Sequence, residues 1–155
     1  MYDKIDRYIE RLLDKSTPEA PYWNIESIRQ GKPPHWNYID GCMITALLCA
    51  AEITGEQRYA DFAEEFIDYY VSEDGSIRGY SQEKFNLDDV NEGRVLFDLY
   101  KKTGKEKYKK AIFLLREQLE KQPRTNTGNF WHKQIYPNQI WLDGLYMAQV
   151  FYVRF

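Results

Sequence analysis

The fold is decided by the stretch Asp40-Gly-Cys-Met-Ile-Thr-Ala-Leu-Leu-Cys-Ala-Ala-Glu-Ile-Thr-Gly-Glu-Gln-Arg-Tyr59. Apolar residues dominate from Cys42 to Ala51, which predicts an α-helix over Asp40–Ile53 buried on most sides, with Asp40 as its N-cap. Thr54-Gly55 ends it, because a glycine just past the last turn takes the left-handed conformation that stops a helix. Glu56 to Val71 then reads as an amphipathic helix with a charged outer face. A buried helix, a glycine stop and a half-exposed helix make a helical hairpin.

The same pattern returns. Thr54-Gly55 and Tyr59 align with Thr103-Gly104 and Tyr108 at an offset of 49 residues, and Asp40 aligns with Asp89. Asp88 or Asp89 opens a helix through Val90, Leu96, Phe97 and Leu99, and Lys105–Lys121 is its outer partner. Asp143-Gly144 opens a third inner helix, with Leu142, Leu145, Tyr146, Val150 and Val153 at helical spacing. A repeat of about 50 residues built from helix pairs suggests an α/α solenoid or toroid. The expected fold is therefore all-α, in a single partial domain over residues 1–155. Its hairpins fall at about 1–71 and 88–121, with a final inner helix over 141–155. Tyr2–Leu13 is a further amphipathic helix. Ser16–Trp36, Ser72–Asn86 and Pro123–Asn138 are loops, broken up by proline and glycine, with a tight turn at Asp74-Gly75. The return loops all end at an aspartate on an inner-helix N-terminus, so that end is expected to carry function. The last helix reaches Phe155 with no outer partner, which predicts either more chain or a second copy over this edge.

Bulk properties narrow the function. The net charge of −3 and the lack of basic runs give no footprint for nucleic acid. No stretch is apolar enough to span a membrane or to form a signal peptide. Cys42 and Cys49 lie seven apart on one helix, too distant for a disulfide, and are expected as buried thiols in a reducing, cytoplasmic setting. Aromatic residues make up 16% of the chain, a proportion that suits stacking on sugars as well as core packing.

Site chemistry concentrates in Gly128–Met147: Gly-Asn-Phe-Trp-His-Lys-Gln-Ile-Tyr-Pro-Asn-Gln-Ile-Trp-Leu-Asp-Gly-Leu-Tyr-Met. Aromatic faces beside amides, a histidine, a lysine and a carboxylate are what a sugar pocket needs. Trp131-His132-Lys133, Tyr136-Pro137 and Trp141-Leu142-Asp143-Gly144-Leu145-Tyr146-Met147 resemble the unsaturated rhamnogalacturonyl hydrolases, glycoside hydrolase family 105. These are related to the unsaturated glucuronyl hydrolases of family 88. Asn86-Leu87-Asp88-Asp89-Val90-Asn91-Glu92-Gly93-Arg94 and Pro123-Arg124-Thr125 extend the likeness over nearly the whole chain.

The resemblance implies an (α/α)6 toroid of six hairpins, of which this chain matches about half, the N-terminal part. It implies release of 4,5-unsaturated galacturonyl residues from pectin-derived rhamnogalacturonan oligosaccharides by hydration of a vinyl ether, without metal or other cofactor. Asp143 then matches the catalytic acid/base and Asp88 the second acidic residue. His132, Lys133, Trp141 and Tyr38 are expected to bind substrate, Trp131 and Arg94 to be structural, and Asp40 to be a cap. A different reading is a truncated, non-catalytic relative, a helical module that binds sugar or self-associates through its open C-terminal edge.

Overall fold

The computed structural model describes residues 2–155, and side chains from Lys4 onward. It is helical throughout. The α-helices are α1 (Tyr2–Leu13), α2 (Ile25–Arg29), α3 (Tyr38–Thr54), α4 (Gln57–Tyr70), α5 (Leu87–Glu92), α6 (Val95–Thr103), α7 (Glu106–Lys121) and α8 (Val150–Arg154). Short 3₁₀ turns cover Tyr22–Asn24 and Gln82–Lys84, and a π-helical segment over Leu145–Gln149 leads into α8. Among the described residues β-structure is limited to two isolated bridges, Val71 with Ile77 and Arg124 with Phe130.

The repeat is visible atom by atom. Gly55 and Gly104 hold φ of 78° and 70° at the two hairpin turns. In each turn a threonine bonds backward into its own helix and forward into the next. Thr54 Oγ1 donates to the Ala50 carbonyl and accepts from Glu56 N, as Thr103 Oγ1 does with Leu99 and Lys105. Tyr59 and Tyr108 are both buried one turn further on. The return loops repeat as well: Ser72–Ser76 and Thr125–Asn129 close matching turns through Gly75 and Gly128, with the two bridges beside them.

The inner helices also start alike. Asn37 caps α3, accepting from Ile39 N and Asp40 N, and Asn86 caps α5, accepting from Asp88 N. Each cap side chain donates its amide to the aspartate three residues on, Asn37 to Asp40 at 2.6 Å and Asn86 to Asp89 at 2.9 Å. Asp40 is therefore not the cap that its position suggests. It is wholly buried, and it also accepts from Trp23 Nε1 (2.7 Å) and Asn24 Nδ2 (2.8 Å). The asparagine wins the cap because it can accept from the backbone and donate to a side chain at once.

Three other expectations change. The second inner helix is broken between α5 and α6: the amides of Gly93, Arg94 and Leu96 bond three residues back instead of four. Gly93 sits hard against α7, where a Cβ would lie 2.1 Å from Leu115 Cδ1. Next, α3 is apolar nearly all round but buried on one side only, at Asp40, Gly41, Ile44 and Leu47, where it meets α4 and α5. Its other apolar side is open, and Ile53 is 70% exposed. Last, Cys42 and Cys49 are free thiols but not buried ones; Cys42 is half-buried and Cys49 exposed. The loop before α3 is more ordered than its prolines imply, because Trp23 packs on Phe62 and Phe66 of α4.

The core lies between inner and outer helices, with Phe66, Ile67, Tyr70, Leu96, Leu99, Leu115 and Leu119 fully enclosed. At the other extreme Leu142, Val153 and Ile140 are 85%, 82% and 55% exposed, which leaves the last helix with a bare apolar face. No described helix is long and apolar enough to cross a membrane.

Candidate functional site

The starts of α3, α5 and the final helix share one end of the molecule, where the Trp36 indole donates to the Asp89 carbonyl at 2.6 Å. The loop from Trp131 to Gln139 is sewn onto the same end. Leu87 N donates to the His132 carbonyl, His132 N to the Gln139 carbonyl, and the Gln122 amide bridges Phe85 and Trp131 carbonyls.

This stitching brings Asp88, His132 and Asp143 together, with one carboxylate oxygen or ring nitrogen of each within 4.8 Å of the others. Lys133 Nζ lies 2.6 Å from Asp88 Oδ2. His132 Nε2 lies 3.2 Å from Asp88 Oδ1, its one close polar neighbour, in a geometry short of a well-aligned hydrogen bond, and Nδ1 makes no hydrogen bond among the described residues. The imidazole is stacked on Trp141 at 4.2 Å and 9°, and Tyr136 stacks on the same indole at 5.1 Å. Burial lowers the His132 pKa, against the opposing pull of Asp88 and Asp143, so the ring is neutral at pH 7. A neutral imidazole offers one donor and one acceptor.

Asp143 differs from its two counterparts. Asp40 and Asp89 are enclosed and tied to an asparagine three positions earlier. At Asp143 that position holds Ile140, and the Asp143 carboxylate is exposed with no hydrogen bond among the described residues. Its neighbours Trp141 and Leu142 do not cover it. Trp141 is turned onto His132 instead, and Leu142 points outward. The peptide carbonyl of Asp143 accepts from Tyr146 N and Met147 N and so starts the last helix.

The three repeats thus place a dipeptide at one spot: Ile39-Asp40, Asp88-Asp89 and Leu142-Asp143. The carboxylates that reach the cluster are the first member in the second repeat and the second member in the third. The cluster has the donor types that bind divalent cations, but the Lys133 ammonium already holds one oxygen of Asp88 and would repel such an ion.

Tyr38 does not touch this cluster. It lines a neighbouring cleft of about 460 Å³ that also takes in Asp88, Lys133, Asn86 and Asp89. Asp88 and Lys133 are therefore the shared wall between cluster and cleft. Beneath that wall lies a layer of acids. Burial pushes the Asp89 carboxyl up to about 6, and it raises Asp40 as well. Glu92 is fully buried with its pKa raised well above the usual range, and its Oε2 accepts from Asn37 N at 2.6 Å. Arg94 is buried against Tyr146 and bonded to Thr45, a packing role. Tyr136 and Glu92 are the residues here that motif reading passed over. Tyr136 stood in the Tyr136-Pro137 motif, whereas nothing in the sequence marks Glu92 as enclosed.

The sequence profile of Glycosyl Hydrolase Family 88 matches residues 8–155. The chain is also similar to a solved glycoside hydrolase of family 105 from C. acetobutylicum ATCC 824, with 44% identity and a TM-score of 0.76. The match covers 83% of this chain and 36% of that one, so this chain spans about a third of the structure it resembles.

Proposed function

Because the chain belongs to Glycosyl Hydrolase Family 88, we propose that it carries the acid/base part of a hydrolase for 4,5-unsaturated galacturonyl ends of rhamnogalacturonan oligosaccharides. The observation that carries this reading is the free Asp143 carboxylate beside a second carboxylate, Asp88, and the buried imidazole of His132.

In the proposed reaction Asp143, protonated, gives its proton to C4 of the alkene, and water adds at C5. The resulting hemiketal opens, and the anomeric carbon then releases the leaving sugar. One carboxyl serves both steps, first as acid and then as base toward water. Asp88, held by Lys133, orients substrate hydroxyls beside Asp143. His132 supplies a donor from a rigid stack. The exposed edge of the Trp141–Tyr136 stack offers an apolar surface to a ring face. No step calls for a metal.

The test follows the ultraviolet absorbance of the conjugated double bond in an unsaturated galacturonyl-rhamnose disaccharide. Asp143→Asn is expected to lower the rate at least about 100-fold, the scale of lost acid/base catalysis, while the melting curve is unchanged because the side chain is exposed. Undiminished turnover by the variant would remove Asp143 from the mechanism.

A further inference from the structure

The cleft behind Asp88 is larger than the cluster requires. Its volume of about 460 Å³ lies within the roughly 300–1,000 Å³ of small-molecule sites. Two of its lining side chains, Lys32 and Lys84, come from loops 52 positions apart, one preceding α3 and the other preceding α5. Neither forms an ion pair within 4 Å among the described residues, although Lys84 lies near enough to the buried Asp89 to act on its charge, whereas Lys133 in the same lining is held by Asp88. Glu19 is the sole exposed acid of the lining, since Asp88 is paired and Asp89 is buried. Two ammonium groups outside any ion pair and the exposed ring of Tyr38 therefore line a groove that starts at the proposed reaction centre. In an alternating galacturonate–rhamnose chain, the ring two places beyond the cleaved end carries a carboxylate of its own.

We propose that this cleft is a distal subsite in which Lys84 and Lys32 recognise the carboxylate of a second uronate. The ligand class it selects is acidic oligosaccharides longer than a disaccharide. The inference rests on the functional reading above, and binding and turnover separate the two. Calorimetry would compare a galacturonate–rhamnose tetrasaccharide, the same tetrasaccharide with its internal carboxyl reduced to an alcohol, and the disaccharide. Native chain is expected to bind the acidic tetrasaccharide about three- to tenfold tighter than either other probe. That margin should shrink with added salt and vanish in the Lys32→Ala/Lys84→Ala double variant, whose disaccharide affinity stays unchanged. Equal affinity for all three probes, or a margin indifferent to both lysines, overturns the subsite even if the disaccharide double bond is consumed. A lysine-dependent margin without any loss of double-bond absorbance sustains the subsite and counts against the hydrolase reading instead.

Discussion

Asp89 shows what a buried carboxyl does to the molecule around it. Its pKa rises from 3.8 to about 6 because burial penalises the ionised form. An acid whose folded pKa is raised lends stability that is complete below its unfolded pKa, here about pH 4, and is lost as pH climbs through 6. Asp89→Asn keeps an acceptor for the Asn86 amide and removes the charge. Measured by urea unfolding from pH 3.5 to 7, the variant should gain on the native chain by about 3 kcal/mol, two pKa units and a little more. A constant difference across that range would mean that Asp89 is not the buried acid described. His132 works the other way, since its lowered pKa lends stability above about pH 6.5 that is lost on acidification. The chemistry of individual residues was partly legible in advance. Asp88, His132, Lys133, Trp141 and Asp143 come together as one cluster, and Tyr38 lies next to it in the cleft. The enclosure of Asp40, Asp89 and Glu92 was not legible, because an aspartate at a helix start looks the same whether water or a neighbouring helix covers it.

At the scale of elements, α3 lies with its backbone close against α5. A Cβ on Gly41 would stand 2.5 Å from Glu92 Cα, a contact that only a backbone shift can relieve. Gly41→Ala is therefore expected to cost about 3 kcal/mol, the upper end of overpacking. Gly144 is the instructive contrast. It has helical torsions, and an added Cβ would meet His132 Nδ1 at an ordinary 3.4 Å. Gly144→Ala should leave stability unchanged or raise it by up to about 1 kcal/mol. Thermal melts of the two variants decide the matter, and a Gly41→Ala chain as stable as the native one would deny the close packing. Helix existence and the Gly55 and Gly104 stops were readable because periodicity and left-handed glycines are local signals. The break at Gly93–Arg94 was not readable, since the packing that demands a glycine there comes from Leu115 on another helix, twenty-two positions away. The π-helical start of the last helix was not readable either, and no local feature of Leu145–Gln149 accounts for it.

For the whole molecule, the repeat gave the architecture and the exposed final helix gives its behaviour in solution. Leu142 and Val153 are more than four-fifths exposed on a face with Leu145, Tyr146 and Phe155, and contiguous apolar surface of this kind drives association. Light scattering on this chain should show concentration-dependent self-association that Leu142→Glu/Val153→Glu reduces without lowering the melting temperature. A monodisperse native monomer at all concentrations would contradict this. The two hairpins also carry a lesson about time. The pairings within each are local, because α3 with α4 and α6 with α7 are neighbours along the chain. The hydrogen bond from the Trp36 indole to the Asp89 carbonyl spans 53 positions, and the Asp88–Asp143 juxtaposition spans 55. Such distant pairs assemble late, after local structure has formed. The cleft and the carboxylate cluster are thus expected to form after the local helical turns. A sugar held there would act as a further clasp between two units that already share one core.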